Sequence, residues 1–346
     1  MEHGARFEAV GAVVPERRVT SRELMARVKT RGRVSLEGLT GIRERRVCGE
    51  GEDSYTLAVG AAEECLRHSA YDAGDLDMLI SCSISRFKDG MNFVFEPPLS
   101  LFVREAIGAH RAVVFDVANA CAGMLTGVYI LSDFIRRGVI RRGMVVSGEY
   151  ITSLSENAVP HVRTVLSPQL ASLSLGDCGA AAIVERCEPG SEGLVTSGFV
   201  TVARHSRLCI GGASETAPGG EMVTRARKLQ EAAISASGPV LERALAEWGK
   251  GLGDVDHFIP HQTSSRAIVA GELLLRRRLG GAARNVVINV EEYGNTASTS
   301  HFLAMYRMLQ EGGFKEGENV MLIALASGLV MGVVGFKMDS LVERYG

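Results

Sequence analysis

Residues 113–123 read VVFDVANACAG, and residues 285–295 read NVVINVEEYGN. Each begins with a run of β-branched and apolar residues, the pattern of a buried strand. Each then passes through a small or polar turn into a helical stretch. The first helical stretch covers residues 124–137, and the second ends near Gly312. Cys121 precedes Gly138 by the same number of residues that Asn295 precedes Gly312. A second pair of segments matches upstream. DLDMLI at residues 75–80 follows a helical stretch at 55–69, and DVDHFI at 254–259 follows one at 239–248. Helix, D-x-D strand, second strand, polar residue and helix therefore recur in order. Two long, similar halves mean an internal duplication and not a short-period solenoid.

The duplication sets the chemistry. Residues that end equivalent strands lie near the pseudo-twofold axis, so Cys121 and Asn295 are expected to face one shared site. His261 directly follows the second D-x-D strand and is expected to point there as well. A thiol, an imidazole and an amide converging from three segments form a nucleophilic constellation. Ala118, Asn119, Ala120, Ala122 and Gly123 are small, which predicts a tight turn with an accessible sulfur. A cysteine at a helix start meets the positive end of the macrodipole and free N–H groups, which predicts a lowered thiol pKa. Burial in the core is the commoner fate of a free cysteine. The duplication is what favours the nucleophile.

At 346 residues the chain can form one large core or two fused half-domains, split at 1–188 and 189–346. The seam is expected at residues 185–192, which hold Pro189 and Gly190. Strands alternating with helices give an α/β class. A net charge of −2 argues against nucleic acid as the main partner. Seven cysteines without CxxC spacing are neither a disulfide nor a zinc framework, which fits a reducing cytoplasm. No apolar run is long enough to span a bilayer, and no metal or cofactor is expected. Residues 322–326 and 329–336 read as buried strands interrupted by Ser327 and Gly328. GGASETAPGG at 211–220 reads as a flexible loop. Residues 91–98 and 151–172 read as irregular insertions, the kind of loop that serves binding or dimerisation. Cys65, Cys82, Cys178 and Cys209 read as core, and Asp116 and Asn119 as groups that satisfy the turn backbone.

Five further motifs occur in order. They are FEAVGAVVPERRVTSREL with TGIRERR (residues 7–24 and 40–46), DVANACAGM (116–124), LGDCGAAAIV (175–184), PHQTS (260–264) and YGNTASTS (293–300). Together the chain resembles the thiolase-fold β-ketoacyl-ACP synthase III family over nearly its whole length. FEPPLS (95–100), FDVANAC (115–121), VVSGE (145–149) and LCIG (208–211) carry a resemblance to a subgroup, the head-to-head acyl-CoA condensing enzymes of bacterial olefin biosynthesis. The resemblance implies a five-layered αβαβα fold, a homodimer, and acyl-CoA or acyl carrier protein thioesters as partners. It also implies Cys121 as acyl-accepting nucleophile, with the amides of Cys121 and Gly328 as oxyanion hole. His261 and Asn295 become donors to the enolate of the second substrate. Glu96 in FEPPLS becomes the α-proton base, supplied by the partner subunit, although it lies one residue closer to Cys121 than in that subgroup.

Departures matter too. The family's adenine-clamping tryptophan and arginine before TGI are replaced by Ser35 and Leu39, which favours a carrier-protein thioester over CoA. HQAN becomes HQTS, so Ser264 stands where an asparagine orients substrate or water. The leading expectation is a condensing enzyme that joins acyl thioesters by Claisen chemistry. An acyltransferase passing the Cys121 acyl group to an alcohol or amine is the alternative. A catalytically dead acyl-binding subunit is a third reading, and the intact Cys121, His261 and Asn295 argue against it.

Overall fold

The computed structural model describes residues 3–30, 34–188 and 193–346. Its framework is two five-stranded mixed sheets. The first holds β1 (Gly4–Val13), β2 (Met78–Ser81), β3 (Val113–Asp116), β4 (Arg142–Glu149) and β5 (Cys178–Cys187). The second holds β6 (Leu194–Thr201), β7 (His257–Pro260), β8 (Asn285–Val286), β9 (Asn319–Ala326) and β10 (Val330–Lys337). The strand orders are β1-β5-β4-β2-β3 and β6-β10-β9-β7-β8. Each strand thus has a counterpart five numbers on. Pairing directions agree as well: antiparallel across β1-β5-β4 and β6-β10-β9, parallel across β4-β2-β3 and β9-β7-β8. The expected duplication is present.

Six principal helices follow the same rule with an offset of three. They are α1 (Ser54–Arg67), α2 (Leu99–Ile107), α3 (Gly123–Arg136), α4 (Ala226–Trp248), α5 (Ser265–Leu279) and α6 (Ser300–Gln310). Side chains alternate across each strand and so build separate layers. On one face of the first sheet, Leu79, Met144, Val146, Ala181 and Ile183 pack with Ala58, Ala62 and Cys65 of α1 and Val103 of α2. On the other, Ile80, Val145, Ala182 and Val184 meet Leu125, Val128 and Leu131 of α3 and Phe302 and Leu303 of α6. That central layer continues to Val320, Leu322, Val334 and Phe336 of the second sheet. The far face of the second sheet, with Met321, Ile323, Met331 and Val333, is covered by Val240, Leu241, Ala244 and Leu245 of α4. The result is five layers, helix, sheet, helix, sheet, helix. Truncating a central leucine or phenylalanine to alanine in such a core costs about 2–5 kcal/mol.

Several local expectations change. β3 is an edge strand and Val113 is 61% exposed, because no strand among the described residues pairs with that edge. The second apolar run pairs only at Asn285 and Val286. Beyond it the Gln262 side chain takes over the backbone. Its amide donates to the Val287 carbonyl, and its oxygen accepts from the Asn289 and Val290 amides. A short helix (Val290–Tyr293) follows. α4 begins at Ala226, well before Pro239, because buried Ala233, Val240 and Leu241 hold the helix on both sides of the proline. The glycine-rich loop is a hairpin, with Cys209–Ala213 pairing with Gly220–Thr224. Of the expected seam, residues 185–187 belong to β5, and 189–192 lie outside the described residues.

Candidate active site

After β3 the chain reaches Ala120, whose φ of 45° lies in the left-handed region that L-residues enter only where the surroundings impose it. A 3₁₀ turn, Ala120–Ala122, then leads into α3. The second half repeats this device: Ala297, with φ of 54°, opens a turn (Ala297–Thr299) that leads into α6. The two turns pack against each other at the junction of the halves. Turn for turn, the counterpart of Cys121 is Ser298 and not Asn295. The equal spacings to Gly138 and Gly312 arise because α6, with 11 residues, is shorter than α3, with 14, by the same interval that separates Asn295 from Ser298.

Asn295 reaches the site by its own route. Its backbone N–H donates to the Ser174 carbonyl at 2.8 Å, and its carbonyl accepts from the Gly176 amide at 3.0 Å, bridging it to Leu175. Its Oδ1 accepts from the Ala297 amide at 3.0 Å, which leaves Nδ2 as the free donor. Leu175 and Ala297, which flank Asn295, pack with Ile151 against Cys121, Leu154 and Met222. Cys121 and Asn295 thus border the same space.

His261 follows β7 and is buried. Its backbone N–H donates to the Ile323 carbonyl at 2.9 Å. Its Nδ1 lies 2.8 Å from Ser300 Oγ, at the start of α6. The Ser300 hydroxyl has no other acceptor among the described residues, so it donates to Nδ1 and leaves Nε2 carrying the proton. Burial first, and His301 second, lower the His261 pKa to about 3, so the ring is neutral. The segment from Asn295 to His301 is the hub: it carries Asn295, adjoins Cys121 through Ala297, and grips His261 through Ser300.

The Cys121 thiol does not behave as the helix-start argument predicts. Burial pushes its pKa up, nearby Cys209 and Glu149 add to the rise, and only its own backbone N–H pulls the other way. The residue is half-buried, within a cluster of apolar side chains. Desolvation therefore outweighs the turn's dipole. Cys209, expected in the core, is half-buried on the hairpin and acts electrostatically on Cys121.

The remaining residues divide. Gly328, with φ of 102°, lies in the turn between β9 and β10, and both strands abut the Cys121 turn. Ser264 is the N-cap of α5: its hydroxyl accepts from the Ala267 amide and donates to the Thr40 carbonyl at 2.9 Å. In this structure that hydroxyl is engaged at the helix cap. Glu96 is exposed on the loop before α2 and makes no hydrogen bond or ion pair among the described residues. The single chain does not bring it to the other three. Asp116 caps α2 through the Leu99 and Ser100 amides instead of its own turn, while Asn119 donates to Thr126 Oγ1 at 2.8 Å. Four site neighbours escaped sequence reading: Glu149, Ser298, Ser300 and His301. The run TASTSH at residues 296–301 was the available signal, since helix-start serines and threonines commonly serve side-chain hydrogen bonding.

Two duplicated α/β halves with a cysteine on the first elbow and a histidine and asparagine from the second define a thiolase-fold enzyme. Residues 115–201 match the model of the 3-oxoacyl-[acyl-carrier-protein] synthase III family and residues 245–338 match the model of its C-terminal region. The chain belongs to this family and is a condensing acyltransferase that forms carbon–carbon bonds between acyl thioesters. It is 29% identical over 329 residues to the β-ketoacyl-ACP synthase III of Deinococcus deserti, covering 93% of this chain and 87% of that protein. It is also 29% identical to the Symbiobacterium thermophilum enzyme, over 95% of this chain and 96% of that one. Among solved structures, a cysteine-to-serine variant of Xanthomonas campestris OleA with bound lauric acid and lauroyl-CoA superposes with a TM-score of 0.85 at 22% identity, covering 98% and 100% of the two chains. The synthase III of Aquifex aeolicus superposes with a TM-score of 0.82 at 24% identity, covering 97% and 100%. These structural likenesses establish the shared fold.

Proposed function

We propose that Cys121 captures the acyl group of a first thioester and that His261 and Asn295 stabilise the enolate of a second. The supporting observation is that the hub from Asn295 to His301, which adjoins the Cys121 cluster through Ala297, leaves two donors without a partner among the described residues, Asn295 Nδ2 and His261 Nε2–H. In the first step the Cys121 sulfur attacks the thioester carbonyl carbon. The leaving thiol takes the proton that Cys121 gives up, and the oxyanion is held by backbone amides, with Cys121 and Gly328 as candidates. In the second step the enolate carbon attacks the Cys121 thioester, a carbon–carbon bond forms and the thiolate is expelled. A neutral His261 suits this step, because it donates a hydrogen bond without delivering a proton to the enolate.

The enolate arises either by loss of carbon dioxide from a malonyl thioester or by removal of an α-proton. For the second route we assign the base role to Glu96 of the partner subunit in a homodimer, since this chain's own Glu96 is exposed and unpaired among the described residues. The base route corresponds to the olefin-type subgroup, and OleA's bound lauroyl-CoA supports an acyl-CoA donor. The loss of the adenine clamp at Ser35 and Leu39 supports a carrier-protein donor instead. The deciding experiment incubates the protein with acyl-CoA and acyl-carrier panels, reads the acyl-enzyme by intact mass, and then adds malonyl or plain acyl thioesters. A β-keto product supports condensation. Esters or amides formed with added alcohols or amines, and no β-keto product, would establish the acyltransferase alternative.

A further inference from the structure

We propose that His301 is a positioning residue whose ring forms a floor under His261 and, together with Ser300, holds that imidazole with its Nε2–H directed at the enolate site. The proposal rests on the reading of His261 as an enolate donor. His301 is fully buried on the first turn of α6, next to Ser300. Its ring stacks on that of His261, with centroids 5.6 Å apart and planes 25° apart. Its Nε2 donates at 2.8 Å to the Ile323 carbonyl, the same oxygen that accepts the His261 backbone N–H at 2.9 Å. One carbonyl on β9 therefore fixes both the main chain of His261 and the ring beneath it. Adjacent helix positions point about 100° apart, so Ser300 holds the ring at its edge while His301 holds its face.

The other ring nitrogen argues against packing alone. His301 Nδ1 is buried without a partner among the described residues. An unsatisfied buried acceptor is costly. An apolar side chain of similar volume would avoid that cost, so the flat ring and its Nε2 donor are the features this position retains. Burial keeps the ring neutral even though the Ile323 carbonyl pulls its pKa the other way, so at neutral pH it places no positive charge against His261.

The test compares His301→Leu, His301→Phe and His301→Gln with the wild type. Leu removes ring and donor, Phe keeps a flat ring, and Gln restores an Nε2 donor within reach of Ile323. Acyl-enzyme formation is read by intact mass, condensation by kcat and KM, and the His261 tautomer by ¹⁵N NMR of histidine-labelled protein. All three variants should self-acylate like the wild type. The Leu variant should lose about tenfold in condensation kcat, the low end for an orienting partner, with KM changed by less than about twofold. Phe, which keeps the ring face, should recover most of that loss. The wild type should show a single His261 tautomer, protonated at Nε2, and the Leu variant a mixture. A Leu variant with unchanged kcat and a single tautomer would overturn the proposal, as would an equal loss of acylation. If Leu does not fold, Gln, which also lacks the ring, decides by the same two readouts. If His261→Ala condenses normally, the enolate-donor reading itself fails, while the tautomer spectrum still reports whether His301 orders the His261 ring.

Discussion

Ser298 donates its hydroxyl to the buried Glu149 carboxylate at 2.5 Å, tying the second half's elbow to the end of β4 in the first half. The same carboxylate accepts from the Ile84 and Ser85 amides and from the Ser85 and Ser147 hydroxyls. No cation faces it among its hydrogen-bond partners. Burial raises its pKa, and the Ile84, Ser85 and Ser298 donors offset part of that rise. A carboxylate is the acceptor that suits five donors. Glu149→Gln turns an N–H₂ group toward them and should destabilise the fold by about 1–3 kcal/mol, with Ser298→Ala costing about 1 kcal/mol. Urea denaturation checks this. Unchanged midpoints for both would mean that the junction does not depend on the carboxylate.

Cys121 should react slowly with iodoacetamide at pH 7, because burial keeps its thiol protonated. The rate should rise roughly tenfold per pH unit from 7 to 9 without a plateau, tracking the thiolate fraction. A plateau below pH 7 would point to a preformed thiolate. In the Cys121→Ala protein the acyl adduct should be absent from the intact mass.

Asn295→Ala should spare self-acylation and lower product formation by about a hundredfold, the scale of one oxyanion donor. Its free Nδ2 is what the substitution removes. Equal losses in both half-reactions would contradict the division of labour between Cys121 and the enolate donors.

Glu96→Gln should form the acyl-enzyme normally, yet fail to exchange the α-protons of the second substrate with deuterated water. Turnover of malonyl thioesters should survive the change, because decarboxylation needs no base. Normal exchange by the variant removes Glu96 from the mechanism.

The histidine pair predicts an acid-side stability slope. Burial lowers the His301 pKa to about 4, below its value of about 6.5 in an unfolded chain. A depressed folded pKa contributes stability that is present above pH 6.5 and is lost as pH falls. Between pH 6.5 and about 4, wild-type unfolding free energy should therefore fall faster than that of His301→Gln, by up to about 1.4 kcal/mol per pH unit. Parallel slopes in urea titrations would show that His301 takes up no extra proton on unfolding.

The sequence by itself determined the duplication and the alternation of strands and helices, and it singled out Cys121, His261 and Asn295 as the candidate set. Those features are legible because apolar periodicity and turn composition act over short spans, and because each half repeats them. Only the tertiary structure paired Cys121 with Ser298, since the correspondence lies in the left-handed turns at Ala120 and Ala297 and not in spacing. It also left Val113 and Glu96 exposed, occupied the Ser264 hydroxyl at a helix cap, and brought Glu149, Ser300 and His301 around the site. The Cys121 thiol shows the physical reason. The local turn argues for a low pKa, but burial by side chains from residues 151, 154, 175, 222 and 297 reverses the direction. Desolvation is set by neighbours distant in the chain, and only the folded packing supplies them.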